Sequence, residues 1–287
     1  MGSRAAIPLV ALCFALLCGC AAVTPVGDRP VAGARVTASA AAPSRAEAVW
    51  AAATSQPVVA LTFDDGPDPR WTPSIVETLR RDRVTATFFV LGSFARQRPE
   101  LIRLEHRSGE QIACHGWNHK VELGWTRSYV VRTFDACASI VQRTAGIRTR
   151  FVRPPYGLLR PDQVAALERS RFTVVDWSLS VSPSVVNPAL LSAQLARVRS
   201  GTIILLHDGR GNRSGVVRLL PKLIDDLRAR GFRMVTVSDL LGADAARLLE
   251  PASVRCRRVD FYASRGFVPR TVLAGLTCAN HRHIRAA

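Results

Sequence analysis

Between Pro57 and Leu241, short apolar runs rich in β-branched residues alternate with longer stretches of helical character. The runs predict seven strands, at 57–63, 84–90, 111–114, 151–153, 172–177, 202–206 and 232–237. Several are apolar at nearly every position, as strands covered on both faces are. The segments between them carry helix punctuation. Pro99 before Glu100, Pro161 before Asp162 and Asn187-Pro188 each suit a helix first turn, and Gly109 and Gly231 suit helix ends. Ser238 is positioned to cap a last helix running through 248. Strict alternation implies parallel strands, in an open doubly wound sheet or a closed barrel. Seven strands in about 186 residues fall short of a full eight-unit barrel, so the expectation is a reduced one.

The chain on either side has a different character. Arg4, the apolar stretch Ala5 to Leu17 and the small residues that follow predict an export signal over residues 1–20, too short to span a bilayer comfortably. Leu17-Cys18-Gly19-Cys20 resembles the lipobox of bacterial lipoproteins, which implies a lipidated Cys20 and a membrane anchor; cleavage after Ala22 and plain secretion is the alternative. Either way the protein is expected outside the cytoplasm. Residues 21–56, rich in Ala, Val, Pro, Gly and Arg without sustained periodicity, predict a linker, and residues 243–287 a basic C-terminal extension of unknown function. Cys114, Cys137, Cys256 and Cys278 would then sit in an oxidising compartment, where Cys256 and Cys278 are one candidate pair; sequence does not fix the connectivity. His281 and His283 are read as part of a solvated terminus.

Charge changes this picture little. The 287 residues hold 39 Lys+Arg against 22 Asp+Glu, a formal net charge of +17. Only Lys120 and Lys222 are lysines; the rest are arginines scattered without a dense block. With no aromatic and basic interleaving and no recognisable reader module, no nucleic-acid partner is expected. Hydrophobic content of 48% and charged content of 21% exclude wholesale disorder.

Reactive side chains gather where the strands end. Asp64 and Asp65 follow the first strand, His115 the third and His207 the sixth, while Arg153 closes the fourth. Strand C-termini of a parallel α/β fold share one face, so four segments deliver these groups to one rim. His115 and His119, four apart, converge on one ion if the segment turns helically, and one carboxylate more makes a three-ligand site with an open position. Adjacent aspartates suit divided labour, one ligating and one acting as base, which leaves His207 as a proton donor.

These residues stand in stretches that resemble a known family. Thr62-Phe63-Asp64-Asp65-Gly66, His115-Gly116-Trp117-Asn118-His119, Arg153-Pro154-Pro155-Tyr156-Gly157 and Leu205-Leu206-His207-Asp208 resemble, in order and spacing, the motifs of the NodB-like polysaccharide deacetylases, carbohydrate esterase family four. The resemblance covers residues 57–242. It implies an α/β fold, a distorted (β/α)7 barrel, and a metal-dependent hydrolase that removes N-acetyl groups from an envelope or extracellular polysaccharide such as peptidoglycan or chitin-like oligomers. By the same resemblance Asp65, His115 and His119 would hold a divalent metal, zinc in most members and cobalt or another ion in some. Asp64 would be the general base, His207 the general acid and Arg153 the residue that orients Asp64. The backbone N–H of Tyr156 would help stabilise the oxyanion, and Leu205 would line the pocket for the acetyl methyl.

The sequence departs from the family twice. The family's Asp-Trp element after the fifth strand supplies a carboxylate for the acid histidine and an indole wall, but here Ser178-Leu179-Ser180-Val181-Ser182-Pro183-Ser184 stands in its place. Asp176-Trp177 lies inside the strand, where a one-residue shift reverses the facing. Gly116 stands where the family commonly has Ser or Thr. Two other classes therefore stay open: a catalytically degenerate domain that binds metal and glycan, and an O-acetyl polysaccharide esterase.

Overall fold

The computed structural model describes residues 47–181, 188–242 and 246–266. The first half of this chain forms β1 (Val49–Ala53), β2 (Val58–Asp64), α1 (Thr72–Arg81), β3 (Thr87–Val90), α2 (Gly92–Gln97), α3 (Pro99–Arg107), β4 (Gln111–Cys114), α4 (Arg127–Ala145) and β5 (Phe151–Val152). Then come α5 (Pro161–Arg169), β6 (Thr173–Val174), β7 (Leu179–Ser180), α6 (Pro188–Leu195), β8 (Ile203–His207), α7 (Ser214–Ala229), β9 (Arg233–Val235), α8 (Val237–Leu240), β10 (Ala246–Leu249) and α9 (Ala252–Ala263).

The main sheet runs β6-β5-β4-β3-β2-β8-β7, with β9 paired to the lower half of β2, and every pairing in it is parallel. With its covering helices this curled sheet is a distorted (β/α)7 barrel. The side-chain period of two sorts β2 between two environments. Val59, Leu61 and Phe63 pack in the larger core with Ile75 and Leu79 of α1 and Leu220, Leu223 and Leu227 of α7. Val58 and Ala60 join Phe89, Ala113, Val175 and Ile203 in a smaller cluster inside the curl. Thr62 and Asp64 continue that inner row upward, and all seven β2 residues are buried. Burying each large apolar side chain in these clusters contributes about 1.5–3 kcal/mol. A disulfide joins Cys114, at the end of β4, to Cys137 of α4.

The folded unit extends past both boundaries expected from sequence. β1 lies in the stretch read as linker, yet it pairs antiparallel with β10 and buries Val49 and Ala52. The expected helix through 248 is instead the four-residue α8, capped by Thr236, followed by β10. Residues 246–263, read as an extension, close over the main sheet because β10 has β1 as a hydrogen-bonding partner, which no local pattern reveals. β7 also escaped the sequence reading, being two residues long and held by backbone pairing to β8. The signal segment with Cys20, residues 21–46 of the linker, the Cys256–Cys278 pairing and the two tail histidines fall wholly or partly outside the described residues.

Candidate active site

Parallel register places the chemistry. Asp64 of β2 is directly opposite His207 of β8, and Thr62 opposite Leu205, so alternation puts all four on the inner face. His115 follows β4, Arg153 follows β5, and the loop after β8 closes down on Asp65. Gly209 permits that closure, since a β-carbon there would collide with the Asp65 carbonyl. Asp64, Asp65, His115, His119, Leu205 and His207 border one cavity of about 500 Å³.

Arg153 forms the floor. Its side chain has no exposed surface, and its Nη1 donates to Asp64 Oδ1 at 2.7 Å and to Thr62 Oγ1 at 2.9 Å. Nε and Nη2 donate to the carbonyls of Val175 and Asp176, and the guanidinium lies 3.9 Å from the centre of the Phe89 ring. The fork therefore fixes one carboxylate oxygen of Asp64. Burial raises the Asp64 pKa to about 6, with Arg153 the main opposing influence.

His115 Nε2 is 3.6 Å from both Asp64 Oδ2 and Asp65 Oδ1, and His119 Nε2 is 3.3 Å from Asp65 Oδ1. One donor atom each from Asp65, His115 and His119 lie within 4.8 Å of one another. The segment between the histidines is a turn, not a helix, and His119 has φ 56°. The first N–H groups of α2 hold it, Gly92 donating to the Gly116 carbonyl and Ser93 to that of Trp117. Gly116 itself has φ +74°, and a β-carbon there would lie 3.0 Å from Glu122 Oε1, so the buried Glu122 carboxyl occupies the space beside a side chain at this position.

The donor set fits a divalent ion. His115 Nδ1 contacts the Arg153 carbonyl at 2.8 Å, which fixes the tautomer and turns Nε2 toward the cluster. Burial depresses the pKa of His115 to about 3 and of His119 to about 2, so both rings are neutral, as ligands must be. Asp65 Oδ1 is buried and accepts no hydrogen bond, an acceptor left open between two imidazoles. Asp65 also has φ 77°, a left-handed conformation just past the end of β2.

His207 borders the same cavity, beside Asp64 on the neighbouring strand. Burial, then the charges of Arg213 and other nearby cations, lower its pKa to about 3. Its Nδ1 is buried with no hydrogen-bond partner. Asp176, the candidate replacement carboxylate, does not reach it: Oδ2 lies 2.8 Å from Arg258 Nη1. Leu205 does border the cavity, as does Ser180 from the stretch that replaces the Asp-Trp element. Tyr156, in the turn after Pro154, has φ 62°, and its ring packs edge-on to His119 at 4.5 Å.

Several residues in or beside the cavity carry no signal in the sequence motifs. Arg210 Nη1 lies 3.6 Å from Asp65 Oδ1 and Arg213 Nη2 lies 3.4 Å from Asp65 Oδ2. Arg258, Phe261 and Tyr262 come from α9. The signal that could have found them is their i, i+3, i+4 spacing, which puts one cation and two rings on a single helix face.

The sequence profile of the family described as polysaccharide deacetylase matches residues 51–175. A chitooligosaccharide deacetylase from Sinorhizobium fredii is 36% identical over 194 residues, 62% of this chain and 89% of the relative. A peptidoglycan-N-acetylglucosamine deacetylase from Bacillus cereus is 30% identical over 196 residues, 67% of this chain and 92% of the relative. A crystal structure of a peptidoglycan N-acetylglucosamine deacetylase superposes with a TM-score of 0.64 at 30% identity, over 68% of this chain and 92% of that one.

Proposed function

The chain belongs to the polysaccharide deacetylase family and is a hydrolase of non-peptide carbon–nitrogen bonds, and we propose that it removes N-acetyl groups from an N-acetylglucosamine-containing envelope glycan by a metal-dependent route. One observation carries this reading: Asp65, His115 and His119 cluster beside Asp64 in a cavity that His207, the neighbour of Asp64 across the β2–β8 pair, also borders. A divalent ion held by that triad, zinc in the first instance, would polarise the acetyl carbonyl and acidify a water molecule.

The protein's own groups divide the remaining work. Arg153 holds Asp64 Oδ1, so Oδ2 is the oxygen left to take the proton from the attacking water. The adduct on the acetyl carbon needs donors, and the backbone N–H of Tyr156, a residue of left-handed φ that borders the cavity, is the proposed one. Leu205 gives the acetyl methyl an apolar wall. His207, taking up a proton from solvent as negative charge develops on the adduct, would pass it to the leaving nitrogen as the carbon–nitrogen bond breaks, giving acetate and a free amino sugar. With burial and cations holding this ring neutral, its charged form becomes accessible as negative charge develops beside it.

The proposed location is the cell envelope, with Cys20 as lipid anchor. The Cys114–Cys137 disulfide supports an oxidising compartment. Among the described residues, no helix is long and apolar enough to cross a membrane.

A second reading, a domain that binds metal and glycan without turnover, is favoured by the absence of a hydrogen-bond partner at His207 Nδ1. Acetate release separates the two. The zinc-loaded chain is expected to liberate acetate from chitooligosaccharides or peptidoglycan, and Asp64→Asn to lose at least about 100-fold of that rate. Full metal content with no acetate from either glycan would leave only the binding reading.

A further inference from the structure

We propose, on the basis of the glycan-deacetylase reading above, that α9 builds a second sugar subsite: Phe261, flanked by Tyr262 and Arg265, is a ledge on which the sugar next to the reacting N-acetyl unit stacks. The cavity, at about 500 Å³, is far larger than an acetamide group requires and falls among pockets of about 300–1,000 Å³ that hold a whole small ligand. A sugar ring bearing the reacting amide therefore enters it, and the next ring of the chain lies at its opening.

The aromatic surfaces in this cavity are not equally open. Trp177 carries the Arg258 guanidinium 4.2 Å from its ring centre and that of Arg153 at 5.6 Å. The Tyr156 ring is flanked by His119 at 4.5 Å and Tyr262 at 4.9 Å. Phe261 differs, because it borders the cavity yet leaves 49% of its surface exposed. The Arg265 guanidinium lies over one face of its ring, 3.6 Å from the centre, and the Tyr262 ring meets it edge-on at 5.1 Å, so the exposed surface is what a ligand could use. A pyranose offers an apolar C–H face rimmed by hydroxyls. The exposed part of the Phe261 ring, with a guanidinium over its covered face and a phenol beside it, matches both features.

The ledge is also held in place, which a recognition surface requires. On the same helix face Arg258 donates to the Gly157 carbonyl at 3.0 Å and pairs with Asp176 and with Glu250. Val259 packs with Leu123 and Leu158 in a buried cluster that Tyr262 joins.

The test is binding without turnover. Calorimetric titrations with fully N-acetylated chitotetraose would use the full-length, zinc-loaded chain carrying Asp64→Asn, with and without Phe261→Ala. Phe261→Ala is expected to weaken tetramer binding about tenfold, to leave the affinity for monomeric N-acetylglucosamine unchanged, and to be rescued by Phe261→Trp. Leu248→Ala, an equally exposed residue on β10, serves as the control that changes nothing. Equal tetramer affinity with and without Phe261, or no tetramer binding at all, would overturn the ledge. Acetate release by the chain with Asp64 intact is scored separately. Turnover with no effect of Phe261 sinks the ledge alone, whereas a Phe261-dependent affinity without turnover sinks the deacetylase reading alone.

Discussion

Arg258 Nη1 lies 2.8 Å from Asp176 Oδ2, and Arg258 Nη2 lies 2.6 Å from Glu250 Oε1, with both acids almost fully buried. One guanidinium from α9 thus serves two carboxylates beneath the cavity. The acid closest in sequence to the missing partner of His207 is held by the C-terminal helix instead. Removing the cation would strand two buried acids. Arg258→Met is expected to destabilise the protein by about 3–5 kcal/mol, read from the urea midpoint. Adding Glu250→Gln should recover part of the loss, and an unchanged midpoint in the single variant would contradict the pairing.

Arg153→Lys is expected to lower kcat at least about 100-fold, with KM moving much less. A lysine supplies a point charge where the fork makes bonds to Asp64, Thr62 and two carbonyls. Steady-state kinetics on an N-acetylated oligomer decide it. A lysine variant with more than about a tenth of the rate would show that the charge alone positions Asp64.

His115→Ala and His119→Ala should each abolish stoichiometric zinc uptake, while His207→Ala should retain it, because His207 lies outside the three-residue cluster. Metal analysis after dialysis distinguishes them. Zinc should also raise the melting temperature of the intact chain, and dipicolinate should lower it again, since an ion that binds only the folded state stabilises that state. Zinc retained by both histidine variants would refute the ligand assignment.

Glu110 supplies a pH effect away from the site. Burial pushes its pKa from 4.5 up to about 8, although its Oε2 accepts the Ala86 N–H at 2.6 Å. An acid with a raised folded pKa binds more protons folded than unfolded between those two values. Its contribution to stability is therefore present below about pH 4.5 and lost as pH rises toward 8. Glu110→Gln keeps the acceptor and removes the titration. The variant should gain on the order of 2–4 kcal/mol relative to wild type between pH 5 and 8. Parallel pH profiles of unfolding for the two proteins would rule this out.

Much of the site was legible in the sequence because register in a buried parallel sheet is set by local alternation. Asp64, Leu205 and His207 had to share a face once β2 and β8 were strands with apolar residues on both sides. The pair His115 and His119 was legible from its spacing, although a turn pinned by α2 brings the rings together in place of a helix. Trp177 and Asp176 were harder, because β6 is only two residues long and the strand ends before them.

The sequence by itself determined the alternating layout, the reduced barrel and the rim on which the reactive groups stand, and its family resemblance named the candidate ligands, base and acid. Only the tertiary structure decided how the domain is closed. β1 lies outside the apolar alternation and gains its partner from β10, nearly 200 residues away. That pairing brings α9 over the cavity and delivers Arg258, Phe261 and Tyr262 to it. Such contacts come from chain segments whose local pattern is weak and whose stability arises on docking, so they become visible only when the two ends of the domain meet.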